Sequence, residues 1–126
     1  MPERGSASVA AVWESASRRI SSLLLYPEAV SAVGRARRTG RLRSRELSRA
    51  NRQIEALWAE LDRVPLNEPL ARRAGEVAQV HGLRAYDAVH LASALSVADA
   101  ETVLVAEDAD LLAAARAIGI ATAKLS

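Results

Sequence analysis

The spacing of apolar and polar positions divides this 126-residue chain into a regular series of short elements. Residues 6–17 (SASVAAVWESAS) place Val9, Val12 and Trp13 on one side of a short helix. Arg19 to Leu25 (RISSLLL) is a mostly apolar run with the length of a buried strand. Tyr26-Pro27 ends it, and Glu28 opens a helix over EAVSAVGRARR whose first turn suits Pro27. After Thr39-Gly40, Ser44 caps a long amphipathic helix with Leu47, Ala50, Ile54, Leu57, Trp58 and Leu61 at helical spacing. Arg63 to Leu66 reads as a short strand, and Pro65 places it at a sheet edge. Asn67 caps the next helix (Leu70, Ala74, Val77, Ala78), which Gly82 stops. A helix follows from Ala85 to Ala98, then a strand from Thr102 to Ala106, a helix from Asp110 to Ile118 and a last strand from Ile120 to Lys124.

Strands alternating with helices predict an α/β fold: a largely parallel sheet flanked by helices on both faces, in a single domain over 1–126. In such sheets ligands gather where strands end and helices begin. Glu28 follows the first predicted strand, Asp108 follows TVLVA, and Asp87 stands in the first turn of its helix. Acids at helix starts are also favoured by capping and by the helix dipole alone, which explains Glu28 or Asp108 equally well. Asp87 is more telling, because AYDAVHLASAL has few polar positions and a buried carboxylate needs a partner or a metal.

Composition narrows the chemistry. The absence of cysteine excludes disulfide scaffolds, thiolate zinc sites and cysteine nucleophiles, and suits a reducing cytoplasm. No long apolar run marks a membrane span, so a soluble cytoplasmic protein is expected. The formal charge of +2 is unevenly spread: eight arginines lie between Arg35 and Arg52 against the single acid Glu46. That stripe suits phosphate contact by Arg35, Arg38 and Arg41, although a solvated helix face in an arginine-rich composition accounts for it as well.

Carboxylates distant in sequence but converging at one sheet edge could hold a hard divalent cation, activate a water and stabilise in-line attack on a phosphodiester. His90, three residues beyond Asp87, is placed to hydrogen-bond that carboxylate or to pack behind it. His81 at a helix end is a dipole partner, and Asp110 either caps the following helix or adds an acid to the site.

The stretch HGLRAYDAVHLASAL (His81 to Leu95) resembles PIN-domain ribonucleases, and within them the VapC toxins of prokaryotic toxin–antitoxin pairs. The similarity continues through LVAEDADLLAAARAIGI and back through ISSLLLYPEAVSAVGRARRTGRL, covering roughly residues 18–121. It implies a PIN-like three-layer fold and an endoribonuclease using Mg2+ or Mn2+ held by Glu28, Asp87 and Asp108. It also implies an RNA substrate, a cognate VapB-like antitoxin that covers the active site, and a homodimer. The family opens with a central strand ending in a further metal-binding aspartate. No such segment is found here, and neither Glu3 nor Glu14 matches it. A chain lacking that first strand is read as N-terminally truncated relative to the family, either an enzyme whose start lies further upstream or an inactive module that only binds antitoxin. A signalling receiver domain, which also clusters aspartates, is disfavoured because no acid pair follows an early strand.

Overall fold

In the computed structural model the described residues are 9–16, 18–106 and 108–124, and they contain the predicted elements in the predicted order. These are α1 (Val9–Ser15), β1 (Ile20–Ser22), α2 (Leu25–Arg38), α3 (Ser44–Glu60), β2 (Asp62–Val64), α4 (Glu68–His81), α5 (Ala85–Val97), β3 (Val103–Ala106), α6 (Ala109–Ile118) and β4 (Ala121–Lys124). Of the helix expected over 6–17, positions 6–8 and 17 lie outside the described residues, as does Glu3.

The differences are at the ends, where local hydrogen bonds outrank periodicity. The strand expected from Arg19 to Leu25 stops at Ser22, because the Ser22 hydroxyl accepts the Leu24 N–H at 3.0 Å and turns the chain into α2. Leu25 and Tyr26 therefore belong to the helix, and Glu28 sits within its first turn. β2 lies one to two residues earlier than the pattern suggested. Its residues Asp62 to Val64 pair with Ile20 to Ser22 in parallel, and Pro65, which has no N–H to give, falls outside it. Ser44 is the first residue of α3 rather than its cap. Arg43 is the extended residue before it, and its N–H donates to the Glu46 carboxylate at 3.0 Å. α4 starts and stops as expected: the Asn67 side chain accepts the Leu70 N–H at 3.0 Å, and Gly82 adopts the left-handed conformation (φ +66°) that closes a helix.

Among the described residues the strands form two separate parallel pairs, β1 with β2 and β3 with β4, the latter in register from Val103 opposite Ala121 to Ala106 opposite Lys124. α5 links them. Its Ala88, Val89 and Ala92 pack with Leu70 and Ala74 of α4, while its Leu91 joins Val77, Leu104, Ala106, Leu111, Leu112 and Ile120 in a second cluster. Leu91 and Ala115 are wholly inaccessible. The alanines at these contacts let helices and strands approach closely, so the core is held by short, dense contacts. α2 and α3 behave differently: they pack on each other through Tyr26 and Trp58, whose ring centroids are 5.4 Å apart, and neither helix contains a fully buried residue.

Candidate active site

Glu28 is carried by the first turn of α2 just beyond β1. Asp108 is the residue between β3 and α6, and Asp87 lies in the first turn of α5, the helix packed against β1 and α6. Acids at three helix starts lie close enough for Asp87 to feel the charges of the others. The Asp87 carboxyl is held above the ordinary carboxylate range, first by burial and then by the negative charge of Asp108, with Glu28 and Asp110 adding to it. Arg84, the residue before α5, works in the opposite direction. The cluster is therefore under-compensated: four carboxylates are felt together, and a single guanidinium opposes them at Asp87.

Asp108 is also a helix cap. One carboxylate oxygen accepts the Leu111 N–H at 2.9 Å and caps α6. Capping of this helix belongs to Asp108 and not to Asp110, which falls in its first turn. The reason is register, since a cap side chain bonds the N–H three residues on, and Leu111 is three beyond Asp108. The capping bond uses Oδ1 and leaves Oδ2 of an exposed carboxylate available.

His90 lies one turn further into α5, and its ring is close to parallel with that of Tyr86 (centroids 6.1 Å apart, planes 12° apart). Burial lowers its pKa and a backbone hydrogen bond to Val105 of β3 works against that shift, so the ring is neutral and anchored to a strand backbone. No bond joins His90 to Asp87, and its Nδ1 has no hydrogen-bond partner among the described residues. Its place is behind the site, against β3, and not on the Asp87 carboxylate.

Tyr86 and Arg84 were not singled out by sequence reasoning. The Tyr86 hydroxyl is raised by burial, by Glu28 and by Asp87, which places it among the acids. The signal was present in AYDAVH: Tyr86 adjoins Asp87 and precedes His90 by one helical turn.

Arg35, Arg38 and Arg41 are all exposed. Arg35 follows Glu28 by seven residues, two turns, so it shares that face of α2 at a distance of about 10 Å along the axis. Arg38 reaches over Gly34, while Arg41 Nε donates to Thr39 Oγ1 at 3.2 Å in the loop at the hairpin tip. An open groove of about 370 Å3 between the β2–α4 connection and the C-terminal half of α5 is lined by Val64, Pro65, Leu70, Ala92 and Leu95, and includes none of the acids.

The donor set is chemically suited to a hard divalent cation, being all oxygen and strongly negative. A cation there would replace repulsion at Asp87 with attraction. The side chains are spread more widely than a ligand shell, however: among the described residues no three acidic or histidine groups converge on one metal-sized position.

Comparison with known proteins identifies the family. The family model for the PIN domain matches residues 2–117. Two proteins of Mycobacterium tuberculosis, Ribonuclease VapC45 of strain CDC 1551 / Oshkosh and Ribonuclease VapC49 of strain ATCC 25618 / H37Rv, are each 40% identical to the chain over 117 residues. The aligned region is 93% of this chain and 81% of each relative. With two pairs of parallel strands among helices, acids at three helix starts and these two lines of similarity, the chain belongs to the PIN-domain family and, within it, to the VapC group.

Proposed function

We propose that this protein is a metal-dependent endoribonuclease and the toxin of a toxin–antitoxin pair, with Glu28, Asp87 and Asp108 as the residues that hold Mg2+ or Mn2+. The observation that carries the reading is the perturbation of Asp87: burial in the first turn of a largely apolar helix, and then the charges of Asp108, Glu28 and Asp110, push it toward its neutral form. An arrangement that costs stability in the free chain is expected where a cation is to be bound. PIN-domain ribonucleases generally depend on a divalent metal, and the relatives are named ribonucleases.

When bound, the metal would polarise the phosphoryl oxygen and make a bound water acidic enough to attack at neutral pH. The chain's own residues position the reactants. Asp87 is fixed by α5, whose adjoining Ala88 and Val89 are buried, so its carboxylate has little freedom to drift. Asp108 is fixed by its capping bond to Leu111. Arg35, on the Glu28 face of α2, would hold a phosphate further along the strand, with Arg38 and Arg41 extending that contact toward the hairpin tip. His90 anchors α5 to β3 from behind.

A VapB-like antitoxin is the proposed protein partner, a homodimer the proposed assembly and the cytoplasm the proposed compartment. No helix among the described residues is long and apolar enough to cross a membrane. The alternative, a module that binds antitoxin without cutting RNA, is favoured by one observation, that no three donors converge. Incubation of the purified chain with RNA, with and without added Mg2+ or Mn2+, separates the two. The enzyme reading expects cleavage that excess chelator stops and Asp87→Asn abolishes. RNA left intact in the presence of metal, with antitoxin still bound, would leave only the alternative.

A further inference from the structure

The acids and arginines account for the phosphate chemistry but leave one side chain in the site unused. The chain has two tryptophans and two tyrosines and no phenylalanine. Trp13 has the Arg19 guanidinium over its ring at 4.5 Å. Trp58 is taken by Tyr26 at 5.4 Å and by the Arg63 guanidinium at 4.8 Å. Tyr86 is the remaining aromatic, and it is also the one placed among the acids, with Glu28 and Asp87 both acting on its hydroxyl.

Its ring is held as a shelf. His90 lies nearly parallel to it, and the histidine is itself largely buried and hydrogen-bonded to the β3 backbone at Val105. The pair therefore runs from the interior outward, with a fixed histidine inside and a half-buried tyrosine at the rim. Spacing of four residues puts the two rings side by side on one face of α5. A flat ring beside a phosphodiester-cleaving site is the element that unpaired bases use when a protein splays them from their neighbours.

We propose that Tyr86 is a positioning residue on which a base flanking the cleaved phosphate stacks, with His90 as the buried support of that shelf. The proposal rests on the ribonuclease reading and adds to it the expectation that the cut falls beside an unpaired nucleotide. The stacked base would fix the register of the strand, so that the adjoining phosphate, and not its neighbours, lies over Asp87. The contribution comes from the ring and not from the hydroxyl, so Tyr86→Phe should retain it and Tyr86→Leu should not.

The test uses the full chain and short single-stranded RNAs carrying 2-aminopurine at successive positions, in chelator so that no metal-dependent cleavage proceeds. Fluorescence anisotropy reports binding, and quenching of 2-aminopurine reports stacking of that base on an aromatic ring. Wild type and Tyr86→Phe should bind and quench at one register. Tyr86→Leu should lose the quench and bind roughly tenfold more weakly, the loss of one base–aromatic stack. Quenching and affinity kept by Tyr86→Leu would overturn the proposal. Should Tyr86→Leu fail to fold, as judged by circular dichroism, the wild-type scan still decides against the proposal if no position is quenched although anisotropy shows binding. Failure of wild type to bind any RNA removes the ribonuclease reading itself, and the proposal with it.

Discussion

Asp108 offers the sharpest separation of structure from chemistry, because one side chain caps a helix and is proposed to hold the metal. Its carboxylate accepts the Leu111 N–H at 2.9 Å, satisfying a donor at the start of α6, a helix that supplies Leu111, Leu112, Ala114 and Ala115 to the core. Replacing a cap by alanine costs about 1 kcal/mol. With an unfolding entropy near 2 cal/mol/K per residue, that loss lowers the Tm of a chain of this length by roughly 4 °C. Asparagine caps about as well as aspartate, since its side-chain oxygen accepts the same bond. Removing the charge also relieves repulsion at Asp87, which offsets the weaker dipole interaction. Asp108→Asn should therefore melt within about a degree of wild type while Asp108→Ala melts clearly below it, and both should lose cleavage. The assay is thermal denaturation by circular dichroism in chelator, paired with metal-dependent RNA cleavage. A Tm for Asp108→Asn as low as that of Asp108→Ala would refute the capping argument, and full cleavage by Asp108→Asn would refute its place at the metal.

Two further outcomes follow from the same reasoning. Because burial and neighbouring acids raise the Asp87 carboxyl, the folded state holds that proton more tightly than the unfolded chain does. Its effect on stability is then absent at strongly acid pH and becomes a penalty as pH rises through the raised value. In chelator, Asp87→Asn should match wild type in acid and become more stable than wild type toward neutral pH. Solvent screening of this partly exposed group keeps the gain to a few tenths of a kcal/mol. A variant less stable than wild type at pH 7 would contradict the electrostatic picture. At the other extreme, Leu91→Ala empties the centre of the larger cluster and should cost about 2–5 kcal/mol in urea unfolding; a cost below about 1 kcal/mol would mean that α5 is not the link between the two strand pairs.

The sequence by itself determined the number, type and order of the elements, because apolar spacing marks the helices and strands and turn or capping residues separate several of them. Asn67 and Gly82 bracket α4 in the structure as they do in the sequence. It also pointed to Glu28, Asp87 and Asp108, through their positions at helix starts and the resemblance carried by AYDAVHLASAL. What it could not decide was what each end does. Ser22 stops β1 with a side-chain bond to Leu24 that periodicity does not register, and Asp108 rather than Asp110 takes the cap because only its register reaches Leu111. Tertiary structure alone decided that His90 faces β3 instead of Asp87, since that depends on which strand α5 lies across. It likewise decided that Tyr86 stands among the acids and that the described strands form two pairs, both consequences of contacts between segments far apart in the chain. Local propensity is written in neighbouring residues, whereas the charge felt by Asp87 is the sum over three helix starts that only folding brings together.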